Sequence, residues 1–119
     1  MKIAVTSTGS DLDSEVDPRF GRARFILIVD SETLAFEVVD NKDNLEALKG
    51  AGIQAASMIS KKGANVLLTG HCGPNAMKAL NAAEIGVANN ASGSVKDAVK
   101  AYLAGELPLT KEADVESQW

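Results

Sequence analysis

The chain has 119 residues, 45% of them hydrophobic and 24% charged, with one cysteine and a formal net charge of −4. That length suits one domain with a real core and is too short for two ordinary ones, and a lone cysteine excludes a disulfide-stapled scaffold. The acidic balance excludes non-specific nucleic-acid binding, which needs clustered Lys and Arg.

The longest apolar run, Phe25 to Val29, falls far short of the roughly 20 residues that cross a bilayer. No signal-peptide core follows Lys2, so a soluble, cytoplasmic domain is expected. The charge is uneven: residues 105–119 hold Glu106, Glu112, Asp114 and Glu116 against Lys111 alone, a net of −3. The first 104 residues are therefore close to neutral, and such a body accepts an anionic ligand where a few cations and backbone amides converge.

In chain order, Lys2 to Thr8 reads as a strand with a buried Ile3-Ala4-Val5 centre. Residues 9–22 are too rich in Gly, Asp, Pro and Arg for a helix and read as a loop. Ala23 to Asp30 is a second strand, apolar without alternation, as when both sheet faces are covered. Ser31-Glu32-Thr33 is short enough for a hairpin turn, and Leu34 to Asp40 suits a less buried edge strand. Asn41 to Lys49 is a polar connection.

From Gly50 the period changes. Gly52, Ala55, Ala56 and Ile59 follow helical spacing, with Lys61-Lys62-Gly63 as the stop. Asn65 to Thr69 is a short buried strand, and the loop Gly70-His71-Cys72-Gly73 leads to Pro74, a natural first helical residue. Ala76, Ala79, Leu80 and Ala83 form the stripe of that helix. Ile85 to Ala88 is the last strand. Ser94-Val95-Lys96-Asp97 resembles a capping box with Asp for the usual Glu, opening a helix with its stripe on Val95, Ala98, Val99, Tyr102 and Leu103. Pro108 and the aperiodic, charged residues around it read as a loose acidic tail, 108–119.

This order predicts helices on both faces of a mostly parallel sheet. The simplest solution is a five-stranded mixed sheet, order 3-2-1-4-5, with strand 2 antiparallel. Three loops, 9–22, 70–73 and 89–93, then lie at the carboxyl edge of the sheet, where open α/β sheets bind ligands.

Each motif has a bland and a chemical reading. Thr6-Ser7-Thr8-Gly9-Ser10 resembles a flavodoxin-type phosphate cradle for a flavin or nucleotide, but that cradle needs a helix directly after it. Asp17-Pro18-Arg19-Phe20-Gly21-Arg22-Ala23-Arg24 concentrates basic charge; its arginines either pair with nearby carboxylates or, as planar forks, meet a multi-oxygen or multi-sulfur anion. His71 and Cys72, the only residues of their types, precede a helix N-terminus, which favours negative charge and lowers a thiol's pKa. Alternatively Cys72 fills the core and His71 bonds locally. Two ligands do not complete a zinc site. No acid–base pair or Ser/His/Asp set is discernible, so a non-enzyme is expected.

Taken together, Phe20-Gly21-Arg22-Ala23 before a strand, Gly70-His71-Cys72-Gly73-Pro74-Asn75-Ala76 before a helix, and Ser92-Gly93-Ser94-Val95 opening the last helix resemble the nitrogenase iron–molybdenum cofactor-binding family. The likeness covers about residues 1–107. It implies a ribonuclease-H-like three-layer α/β/α fold and a non-catalytic protein that binds or carries a metal–sulfur cluster, of molybdenum–copper sulfide or related iron–molybdenum–sulfur type. On that reading residues 1–107 are the cluster-binding domain. The cluster lies on backbone amides of Gly70, Gly73 and Asn75 and of Asn90, Ser92, Gly93 and Ser94, beside Gly21, with Arg19 and Arg22 supplying charge. Soft metals accept Cys72 as thiolate or His71 as imidazole, and whether either is a ligand stays open. The likeness also suggests ParA-like P-loop ATPases as partners, and a regulatory interaction module is the alternative function.

Overall fold

The computed structural model describes residues 1–45 and 50–113. Its elements are β1 (Lys2–Ser7), β2 (Phe25–Asp30), β3 (Phe36–Asp40), α1 (Lys42–Leu45), α2 (Ala51–Lys61), β4 (Val66–Leu68), α3 (Pro74–Ala82), β5 (Gly86–Ala88) and α4 (Val95–Leu103). The five strands form one sheet in the order β3-β2-β1-β4-β5. Strand β2 runs antiparallel to β1 and β3, while β1–β4 and β4–β5 are parallel. In register, Val5 stands opposite Leu27 on one side and Leu68 on the other, and Leu67 opposite Val87.

The non-alternating apolar strands are explained by two cores, one on each face of the sheet. Ala4, Ile26, Ile28, Leu67 and Val87 pack with Ala55, Ala56 and Ile59 of α2 and Ala76, Met77 and Leu80 of α3. Ile3, Val5, Leu27, Val29 and Leu68 pack with Val95, Ala98 and Val99 of α4. Each helix buries most of its expected stripe, but Ala83 and Leu103, at or beyond the helix ends, are exposed, and Met77 is buried on α3 beside Ala76 and Leu80. Strand β3 is an edge: only its Val39 is buried.

Several boundaries differ from the sequence reading, for reasons local to each. The turn between β2 and β3 is longer than Ser31–Thr33, because Leu34 adopts a left-handed φ of 63° and its N–H closes onto Asp30 O at 2.9 Å. Asp30 Oδ1 accepts from the N–H of Glu32 and Thr33, which fixes this turn. The connection after β3 begins with the one-turn helix α1, started by the Lys42 N–H donating to Asp40 Oδ1. The rest of that connection, 46–49, lies outside the described residues.

The largest difference concerns the expected loose tail. Its described part runs along the β5 edge: the Thr110 N–H donates to Val87 O at 2.7 Å, and Asn81 Nδ2 donates to Lys111 O at 3.2 Å. Leu109 lies so close over Gly86 that a Cβ there would stand 2.9 Å from its Cδ1. Aperiodic sequence thus coexists with attachment, because edge pairing needs backbone groups rather than an apolar stripe. Residues 114–119 lie outside the described residues.

Candidate functional site

The carboxyl ends of β1, β4 and β5 face the same edge of the sheet, and their loops are bonded to one another. The first, residues 8–24, contains no helix. The phosphate-cradle reading of Thr6–Ser10 therefore loses the helix N-terminus it requires. Instead the chain doubles back, with the Thr8 N–H donating to Glu15 O at 2.9 Å, and then runs beside the second loop. The His71 N–H donates to Pro18 O at 2.7 Å and the Phe20 N–H to His71 O at 3.2 Å, so Arg19 and His71 are paired like parallel strand residues. The third loop is held to the second by Asn90 N–H to Gly70 O at 2.9 Å and Ala91 N–H to Thr69 O at 3.0 Å. It is held to the first by Val16 N–H to Gly93 O and Val95 N–H to Ser14 O.

This close stitching explains two glycines. A Cβ on Gly21, whose φ is 92°, would stand 2.8 Å from Gly52 N, and one on Gly70 would stand 2.6 Å from Pro18 Cα. Backbone meets backbone at both places, which only glycine allows. Gly21 and Ala23 are further pinned by buried Asn41, whose Nδ2 donates to both of their carbonyl oxygens at 3.1 and 2.8 Å.

Two helix N-termini open onto the stitched loops. Helix α3 starts at Gly73 with Pro74 next and no side-chain cap; α4 starts at Ser94, whose Oγ accepts from the Asp97 N–H at 3.0 Å. Helix ends leave amides unsatisfied and carry partial positive charge, so this edge favours an anion.

Of the residues singled out in the sequence, most converge here with different exposures. Arg19, Asn75, Asn90, Ser92 and Gly93 are exposed; Arg22, His71, Gly73 and Ser94 are half-buried; Gly21 and Gly70 are buried. Arg22 Nη1 donates to Leu45 O at 3.1 Å, so its charge also ties down the end of α1. Cys72 is 1% exposed and packs in the core with Phe20 and Ala76 rather than facing the loops' outer surface. Among the described residues, no group of three or more His, Cys, Asp or Glu is placed to hold a metal ion.

The amides divide in the same way. Those of His71, Asn90 and Ala91 donate within the fold. Those of Gly73, Asn75, Ser92, Gly93 and Ser94 donate to no backbone acceptor among the described residues. Asn89 opens the third loop, and its side chain, which no sequence motif singles out, has a buried Oδ1 with no hydrogen-bond partner among the described residues. It borders a depression of about 610 Å³ between this loop and residues 106–113, whose Glu106 and Glu112 suit it poorly to an anion. Nothing in the local pattern marks it, since the second wall comes from beyond α4.

The model of the family described as dinitrogenase iron–molybdenum cofactor matches residues 1–105, and the chain belongs to that family. The apo form of the orange protein from Desulfovibrio gigas is similar at 45% identity, with a TM-score of 0.93 over 96% of both chains. A candidate NifB protein from Thermotoga, solved by NMR, is 32% identical with a TM-score of 0.82 over 96% of this chain and 97% of that one. An uncharacterised protein of Methanocaldococcus jannaschii is 29% identical over 112 residues, 90% of this chain and 89% of its own.

Proposed function

We propose that this chain is a non-catalytic carrier of an anionic metal–sulfur cluster, held at the carboxyl edge of the sheet. The observation that carries the reading is the set of amides at the starts of α3 and α4 that the fold leaves without a backbone acceptor among the described residues, beside exposed Arg19. The family to which the chain belongs supports the same class of cargo. Gly73, Asn75, Ser92, Gly93 and Ser94 offer N–H donors to sulfide, and Arg19 and Arg22 offer charge.

The cargo we favour has its metals already saturated by inorganic sulfide, as in a molybdenum–copper sulfide or iron–molybdenum–sulfur cluster. Ordinary iron–sulfur clusters are held by several cysteine thiolates. This chain has one cysteine, and it lies in the core. Charge and amides rather than covalent ligation then retain the cluster, which leaves it transferable. Such a role belongs in the cytoplasm, and no helix among the described residues is long and apolar enough to cross a membrane. The three-layer packing also supports the ribonuclease-H-like assignment of the fold.

Anaerobic reconstitution with tetrathiomolybdate and copper(I), followed by desalting, visible spectroscopy and metal analysis, tests the proposal. A coloured protein that retains molybdenum and copper in fixed ratio is expected. A colourless, metal-free protein overturns it.

A further inference from the structure

Beneath the three loops lies a pair of hydroxyls that no solvent reaches. Thr6, near the end of β1, and Thr69, just after β4, are both 0% exposed, and their Oγ1 atoms are 2.9 Å apart. Thr6 Oγ1 also lies 2.6 Å from Asp17 O. A carbonyl only accepts and a hydroxyl has a single proton, so Thr6 donates to Asp17 O and Thr69 donates to Thr6. The result is a directed chain, Thr69 O–H to Thr6 O–H to Asp17 C=O, running from the end of β4 to β1 and on to the first loop.

Its ends reach all three loops. At Asp17, the backbone N–H returns to Thr6 O at 2.9 Å, and Oδ1 accepts from the Arg19 N–H at 3.0 Å. This sets the entry to Arg19 and, through Pro18 O, the position of the His71 amide. At Thr69, the residue begins the second loop, while its carbonyl accepts the Ala91 N–H and its own N–H donates to Ala88 O at 3.1 Å. One side chain therefore ties the first loop to the second, and its backbone ties the second to the third.

We infer that the Thr6–Thr69 hydroxyl pair is a positioning device for cluster binding, setting the spacing between Arg19 and the amides at the starts of α3 and α4. The inference rests on the cluster-carrier reading given above. Neither threonine touches the cargo. A buried pair of this kind also stabilises the fold, so the test must separate stability from placement. Thr69→Val keeps the shape and removes the donor. Ile59→Val, in the core on α2 away from the loops, costs stability by loss of a methylene and serves as the matched control.

The experiment loads each protein with tetrathiomolybdate and copper(I), reads affinity and the visible band, and records backbone amide NMR shifts of the cluster-free forms. For Thr69→Val we expect at least about fivefold weaker loading, the scale on which residues that touch no ligand alter a site through the groups they position, with a shifted band. Amide shifts should move together at Asp17, Arg19, Phe20, His71, Asn90 and Ala91. Thr69→Ser should restore both, and Ile59→Val should leave both unchanged despite its lower melting temperature. Should Thr69→Val not fold, Thr69→Ala removes the hydroxyl without added bulk and is read identically. Wild-type loading in Thr69→Val, or amide changes confined to residue 69 and its sequence neighbours, overturns the inference. If the wild type itself takes up no cluster, the carrier reading fails and the role in cluster binding falls with it; the amide shifts then report only whether the pair positions the loops.

Discussion

At Cys72 and Arg19 two neighbouring loops offer two different ways of holding a cluster. A core thiol cannot bond a metal outside the loops without unpacking, whereas an exposed guanidinium meets an anion at no such cost. Cys72→Ala should therefore leave the visible band of reconstituted protein nearly unchanged. Arg19→Ala should weaken loading several-fold, and the deficit should shrink in high salt as screening removes the wild type's advantage. Arg22→Ala should cost stability as well as loading, because its bond to Leu45 O is lost. Metal analysis across a salt series reads all three; loss of the band in Cys72→Ala alone would show thiolate ligation.

Two aspartates are held in their ionised form by their local hydrogen bonds. Asp40 is held below the ordinary carboxylate range by the Lys42 N–H and by Arg24, and Asp30 by the N–H groups of Glu32 and Thr33. A lowered folded pKa means that the ionised form is favoured by folding. The contribution is complete above the ordinary value near 3.8 and disappears as the pH falls through the lower folded value. Asp40→Asn and Asp30→Asn should flatten the fall of stability below about pH 4, measured by urea midpoints from pH 2 to 6. An unchanged acid slope would assign that sensitivity to other carboxylates.

Among the elements, α4 and the Gly21 crossing carry separable risks. Removing the cap by Ser94→Ala should cost about 1 kcal/mol, seen as a lower urea midpoint at constant slope. Its consequence for loading should be small, because the α4 amides stay in place. Gly21→Ala is different in kind. It combines a left-handed φ with a Cβ pressed onto Gly52 N, a strain of about 1–3 kcal/mol. Relief requires α2 and the Gly21–Arg22 segment to separate. Loading should then fall more than stability, and comparison of the two variants at equal urea midpoint checks this.

For the molecule as a whole, the question is what residues 108–119 contribute. The described part covers the β5 edge, whereas the opposite edge, β3, leaves Phe36 and Val38 exposed. Truncation after Leu107 removes the Thr110–Val87 bond and uncovers Gly86. We expect a loss of roughly 1 kcal/mol, or about 3–8 °C in melting temperature. The bared edge should also promote self-association, as unpaired edges do. Calorimetry with sedimentation at two concentrations decides; an unchanged melting temperature would mean that the strap contributes nothing to the fold.

What the sequence determined by itself was the order and kind of the main elements and the edge of the sheet at which three loops gather. Those follow from local signals: unbroken apolar runs, the stripes of α2, α3 and α4, and the punctuation at Gly63, Gly73-Pro74 and Ser94. The glycine and arginine motifs lie in loops that the fold bonds to one another. Only the tertiary structure decided how the groups in those loops are used. Cys72 belongs to the core, Arg22 partly serves Leu45, and the amides of His71, Asn90 and Ala91 are consumed internally. Asn41, the Thr6–Thr69 pair and the strap on β5 gave no sequence signal. Each acts on a partner at least 18 residues away, as Asn41 does on Ala23 and Thr6 on Thr69. A hydrogen bond between such groups depends on which backbones the fold lays side by side, and no local period encodes that.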